Sequence, residues 1–185
     1  AMLSFDLLKR GDVTVRGSTG ALLDRSLRGL GVLIDRSLAE VRLESAEYGR
    51  ETILLAGFIE EMAIAATLEA DARGGQLTVE PGEYGVVVEA DRQLLAAAVS
   101  NLLQNAFKFT RPRTEVRLKA YATGDRVMIE VEDHCGGLPT GKPEELFLPF
   151  TRGSADNTGL GLGLAISRNS IAATEGILSV RGIPG

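Results

Sequence analysis

From Ala21 to about Leu43, the residues Leu23, Leu27, Leu30, Ile34, Leu38 and Val41 recur at steps of three and four. That spacing predicts a helix with one coiled-coil-like apolar seam. Gly29 and Gly31 weaken it, each by roughly 1 kcal/mol relative to Ala. Residues 1–10, AMLSFDLLKR, read as the tail of an earlier helix. The loop GDVTVRGSTG joins the two, with glycines at both ends and too few apolar residues to pack. So short a first helix cannot cover the seam, so residues 1–44 are expected to form a partial helical hairpin. The seam then serves a second copy, giving a homodimer through the hairpin, or packs on its own domain.

Ser45–Arg50 is a short polar linker, and the pattern changes after it. A small strand, ETILLA, leads into a helix through Phe58, Met62 and Ala66. Strands QLTVE and GVVVEA follow, separated by the turn-forming pair Pro81-Gly82. A second helix is predicted over about Asp91–Phe109. TEVRLKAYA and DRVMIEVED alternate with period two and are joined through Thr123-Gly124-Asp125, which predicts a hairpin. A glycine-rich loop, a helix from about Leu160 to Thr174 and a strand ILSV complete the pattern. Helices mixed with mostly antiparallel strands imply an α+β fold over residues 50–185, a two-layer sandwich.

The helix 91–109 carries the most informative polar positions. Asn101, Asn105 and Lys108 stand at i, i+4 and i+7 and form one stripe, while Leu95, Val99, Leu102, Leu103 and Ala106 fall on the other side. Asn costs a helix roughly half a kcal/mol against Ala, so two of them stacked mid-helix suggest chemistry. Two carboxamides and an ammonium offer oxygens to a hard cation and donors to phosphate, with no buried charge to neutralise. The same stripe is also compatible with a solvated helix face ending in a lysine.

Composition narrows the choice. A net charge of -5 argues against general nucleic-acid binding, which needs a basic face, but not against an anionic nucleotide held by a local cluster of donors. The single cysteine, Cys135, excludes an internal disulfide framework and a multi-cysteine zinc site. No apolar run approaches the ~20 residues that span a bilayer, and no signal peptide is visible. The chain is therefore expected to be soluble and cytoplasmic, with no membrane segment of its own.

Further candidates lie in the second half. Val127, Ile129 and Val131 share one strand face, and period two puts Asp133 on that face where the strand ends. A carboxylate at the mouth of an apolar face needs a partner, and an adenine amino group between apolar walls would provide one. A turn-starting Asp ahead of Gly136-Gly137 is the competing reading. Gly159, Gly161 and Gly163 alternate just before a helix, where backbone N–H groups and the helix N-terminus favour an anion. No GxxxxGK[ST] loop exists, and the polar TRGSADNT ahead of these glycines does not suit a dinucleotide-binding turn. In LFLPFTR, Phe147 and Phe150 read as core aromatics or as an apolar anchor for a lid, with Arg152 able to reach a terminal phosphate. His134 reads as a solvent-exposed turn residue and Cys135 as a small packing residue.

Taken in order, Asn101–Thr110, Asp133–Pro139, Leu146–Phe150 and Gly159–Ser167 resemble the N, G1, F and G2 boxes of the ATP-binding domain of sensor histidine kinases. These belong to the superfamily of gyrase, heat-shock chaperone and mismatch-repair ATPases. The resemblance covers about residues 50–182 and implies a Bergerat-type ATP-binding fold. Residues 1–44 resemble the end of the kinase dimerisation and phosphoacceptor hairpin. It implies that Asn105 binds Mg²⁺ held by the triphosphate, with Asn101 in support. Lys108 would meet a phosphate, Phe109 pack on adenine, Asp133 accept the adenine amino group and Gly137 let the base approach. Gly159, Gly161, Gly163 and Leu164 would line the phosphate end beside a short lid, Thr151–Thr158. The γ-phosphoryl would pass to a histidine on the hairpin, then to an aspartate of a response-regulator receiver domain.

Three departures stand out. Cys135 replaces the first glycine of the family's DxGxG, the acceptor histidine is missing because the matching helix would lie before Ala1, and the usual last strand is missing. The expectation is a kinase fragment that binds ATP without phosphorylating itself. A hydrolytic ATPase of the superfamily would need a glutamate base where Asn101 stands, and an amide cannot take a proton from water. The remaining alternative is a non-catalytic nucleotide-sensing or dimerisation module of the same fold.

Overall fold

The computed structural model describes residues 49–73, 75–80, 82–111, 114–138, 142–151 and 161–182, all within the compact unit Ala46–Gly185. The expected hairpin 1–44 lies outside them. Strand β1, Arg50–Leu54, runs directly into helix α1, Leu55–Arg73. Strands β2, Gln76–Glu80, and β3, Val87–Asp91, precede helix α2, Arg92–Phe109. Strands β4, Glu115–Thr123, and β5, Arg126–Glu132, form the hairpin, and a 3-10 turn, Pro143–Phe147, precedes helix α3, Gly163–Ala173.

Alternation along β4 organises the larger sheet. Val116, Leu118 and Ala120 are buried on one face. Glu115, Arg117, Lys119 and Tyr121 take the other, as period two requires. This strand lies between β2, parallel to it, and β5, antiparallel with Thr123 opposite Arg126. Two residues, Gly124 and Asp125, make the turn, with Gly124 at φ 59°. On the polar face Lys119 pairs with Glu132 at 3.2 Å, and the Tyr121 hydroxyl donates to Glu130 at 3.0 Å. On the apolar face α1 and α2 cover the sheet, contributing Phe58, Ile59, Met62 and Ala66, and Leu95, Val99, Leu103 and Phe107, to one core. The architecture is the expected α+β arrangement of helices over a mixed sheet.

Helix α2 starts where Asp91 caps it, its Oδ1 accepting from the Gln93 and Leu94 N–H groups at 2.9 and 3.0 Å. That cap contributes about 1 kcal/mol. The same residue ends β3, which pairs antiparallel with β1, so a single Asp joins the small sheet to the helix that carries the Asn stripe.

Four boundaries differ from expectation. Arg50 belongs to β1, not to a linker, because it has a ladder partner in Asp91. Leu55 and Ala56 start α1 instead of ending the strand, and Leu55 N–H donates to the Val86 carbonyl at 3.0 Å. Helix α3 begins at Gly163, three residues late, because Gly161 is left-handed at φ 69°. The predicted strand ILSV is not a strand. Its alternation survives, with Ile177 exposed and Leu178 half-buried, but among the described residues it has no ladder bonds to a neighbouring strand. Leu178, Ser179 and Val180 lie beside Phe147 and Arg168, and Arg181 just beyond them donates to Glu130 at 3.5 Å.

Helix α3 packs on α2 with Ala165, Ser167 and Ser170 buried. Among the described residues the Ser170 hydroxyl is buried without a hydrogen-bond partner. Such a group costs about 1 kcal/mol or more, and Ser is also a poorer helix former than Ala. Ser170→Ala is therefore expected to raise the thermal midpoint by about 3 °C, read by circular dichroism. A lowered midpoint would mean that the hydroxyl has a partner.

Candidate functional site

The polar stripe of α2 is half-buried at all three positions, Asn101, Asn105 and Lys108, and so is not a freely solvated face. What covers its first member is the start of α3. The Asn101 Nδ2 group donates to Ser167 Oγ at 3.0 Å. A Cβ on Gly163 would lie 2.6 Å from Asn101 Oδ1 and 2.8 Å from Nδ2, so any side chain here would displace the Asn101 carboxamide. The carboxamide thus lies across the first turn of α3. Leu164, the next residue, is half-buried.

Asp133 follows the last residue of β5 and is half-buried. One carboxylate oxygen accepts the Cys135 N–H at 2.9 Å, so this residue does start a turn, and its position at the strand end holds as well. Gly136 and Gly137 continue the turn at φ 98° and 110°, where L side chains are strained. A Cβ on Gly136 would strike the Arg111 guanidinium, whereas the space beside Gly137 is open to 4 Å. A flat ligand has room against that backbone.

A clasp holds this turn to the end of α2. His134 N–H donates to Thr110 Oγ1 at 3.2 Å, and Arg111 N–H donates to the His134 carbonyl at 3.2 Å. The His134 ring is exposed, as expected, and its Nδ1 lies 3.0 Å from the Glu115 carbonyl. The Asn stripe and Asp133, far apart in sequence, are thereby parts of one edge. Cys135 is half-buried; burial first and the Asp133 carboxylate second push its thiol up, so it stays protonated at neutral pH, in keeping with a packing role.

Phe109 is 39% exposed, and the Lys108 ammonium sits over its ring at 4.7 Å. Phe147 is 5% exposed and packs beneath the Arg168 guanidinium, 5.4 Å from its centroid. Phe150 is not the second core aromatic: its backbone is left-handed at φ 64° and its ring is 69% exposed. At Gly161 a Cβ would lie 2.6 Å from the Thr151 carbonyl, so the chain leaves at Thr151 and returns at Gly161 through backbone contact. Arg152, Gly159 and the rest of the expected lid lie outside the described residues.

The structure therefore brings Asn101, Gly163 and Leu164 to one place and ties Asp133 and Gly137 to the end of the same helix. It also reveals Thr110, Arg111 and Ser167, which sequence reasoning left unassigned. Ser167 stands one helical turn after Gly163, and that i, i+4 spacing of a glycine and a small polar residue was its one available signal.

The helix-borne amide stripe, the carboxylate at a strand end and the glycine-led helix thus lie within one α+β fold. The chain belongs to the histidine kinase-, DNA gyrase B-, and HSP90-like ATPase family, whose pattern matches residues 90–185. Within that family it carries the ATP-binding catalytic domain of the sensor histidine kinase type. It is 32% identical over 176 residues to the sensor protein KdpD of Mycobacterium tuberculosis, covering 89% of this chain and 20% of the relative. It is 32% identical over 117 residues to the alginate biosynthesis sensor protein KinB of Pseudomonas aeruginosa, covering 63% of this chain and 20% of that protein. The chain thus spans about a fifth of the length of these curated relatives. Full-length ShkA, solved in complex with AMPPNP, superposes with TM-score 0.71 at 26% identity, covering 98% of this chain and 39% of that one. The catalytic domain of histidine kinase ThkA matches the fold with TM-score 0.60 at 24% identity, over 68% of this chain and 81% of that domain. Among the described residues, no helix is long and apolar enough to cross a membrane.

Proposed function

We propose that this chain presents the γ-phosphate of Mg²⁺-ATP for transfer to a histidine, as the catalytic part of a protein-histidine kinase. The phosphoryl group then passes to an aspartate of a response-regulator receiver domain. In this reading residues 1–44 belong to the dimerisation hairpin, residues 50–185 form the ATP-binding domain, and both work in the cytoplasm, where ATP is. His134, the only histidine of the chain, is engaged in the Asp133 turn, so the acceptor belongs to another part of the protein. The observation that carries the reading is the joining of the Asn101–Asn105 stripe to the Asp133 turn through Thr110 and Arg111.

Asp133 accepts the adenine amino group while Gly137 leaves space for the ring. Phe109 and Lys108 stand at the rim, the ring for the base and the ammonium for a phosphate. Gly161, Gly163 and Leu164 border the phosphate end, and Gly159 and Arg152 are assigned to it by sequence position alone. For Mg²⁺ the donor chemistry fits: the ion takes one or two protein oxygens together with phosphates and water. Asn105 offers a carboxamide oxygen on a half-buried face, with Asn101 one turn away. When bound, the ion neutralises charge on the phosphates. Asn101 and Asn105 orient; neither amide abstracts a proton, which favours transfer to a positioned acceptor over hydrolysis.

Calorimetric titration of the chain with ATP tests the reading. Binding strengthened by Mg²⁺ is expected, and a flat titration with and without the metal would refute it.

A further inference from the structure

We infer that Ser167 is a positioning residue for the nucleotide site, holding the Asn101 carboxamide in place beside the phosphates and their metal. This deepens the proposed function and rests on its assignment of Asn101 to the Mg²⁺-ATP site.

An Asn carboxamide turns about its last bond unless a partner holds it. At Asn101 a partner does. Ser167 is 1% exposed, and its hydroxyl oxygen takes the Nδ2 group at 3.0 Å. Both ends of the carboxamide lie beside Gly163 at the first turn of α3, where the missing side chain leaves them room. A hard cation needs an oxygen, and an amide that rotates freely offers its NH₂ group part of the time. Holding the amide by a hydrogen bond behind it is how an outer partner tunes a metal's ligands.

The contrast with Ser170 argues that the pairing is specific. Both serines lie on the α3 face buried against α2, at 1% and 0% exposure, yet Ser170 has no partner among the described residues. A polar face is therefore not what the packing of the two helices demands. At position 167 an apolar residue would fill the space without a desolvation cost, and the hydroxyl is offset by its bond to Asn101. Ser167 also links the two motifs mechanically, since α3 begins where the glycine loop returns.

The test is a double-mutant cycle on the whole chain, reading ATP affinity by calorimetry with and without Mg²⁺. Ser167→Ala is expected to weaken Mg²⁺-ATP binding by about three- to tenfold, the effect of one hydrogen bond, and to leave metal-free ATP binding unchanged. In an Asn101→Ala background it should change nothing further. Ser167→Thr, which keeps the hydroxyl, should restore most of the affinity. In the nucleotide-free chain, the Asn101 side-chain amide resonances should move in Ser167→Ala and stay near their place in Ser167→Thr. Additive losses in the cycle, or equal losses with and without metal, would overturn the inference and leave the ATP site standing. Loss of nothing in Asn101→Ala would instead remove Asn101 from the site, and the inference with it.

Discussion

Asp133→Asn is expected to weaken ATP binding by on the order of 100-fold while the fold and its melting temperature stay unchanged. The substitution separates the two roles of this carboxylate. As a turn residue, Asp133 accepts the Cys135 N–H, and an Asn oxygen accepts that bond equally well. As a base-recognition residue it must also accept from the adenine amino group, and there Asn presents a donor to a donor. A buried polar group left facing the wrong partner costs about 1–3 kcal/mol, and more when an ionic hydrogen bond is lost with it. Titrations with ATP and GTP check the point, because the guanine carbonyl suits an amide donor. The ATP preference should narrow in the variant. Unchanged ATP affinity would reduce Asp133 to its turn role.

What was legible in the sequence follows a physical division between local and non-local causes. The β4–β5 hairpin could be read because alternation and the Gly124 turn are encoded within its own residues. Helix α2 could be read for the same reason, from its apolar spacing. The start of α1 could not, because the apolar run Ile53–Ala56 suits a strand or a helix, and the Leu55–Val86 bond decides between them from a distance. ILSV has strand composition, but a strand needs a neighbour, and composition cannot supply one. In the site, the Asn stripe and the glycines stood out because unusual residues sat at regular spacing. Thr110, Arg111 and Ser167 did not, because their meaning lies in contacts with residues 24, 23 and 66 positions away in the chain. Phe150 misled because the motif around it is apolar, while its left-handed backbone leaves the ring in solvent.

The second large effect concerns the metal. Asn105→Ala should lower Mg²⁺-ATP affinity by about 10- to 100-fold and leave ATP binding in the presence of a chelator nearly unaltered. Its effect on stability should have the opposite sign. Asn105 lies inside α2, where Ala is the better helix former by roughly half a kcal/mol, so the variant should melt no lower than the unmodified chain. Affinity falling while stability holds or rises cannot come from a damaged fold. Asn105→Gln keeps the carboxamide but extends it by one methylene, so it should recover only part of the metal-dependent binding, as a ligand displaced from its site would. A calorimetric series over the three proteins, with Mg²⁺ and with chelator, reads all of these at once. Equal losses in both conditions would move Asn105 from the metal to the nucleotide itself, and no loss in either would make it a helix residue only.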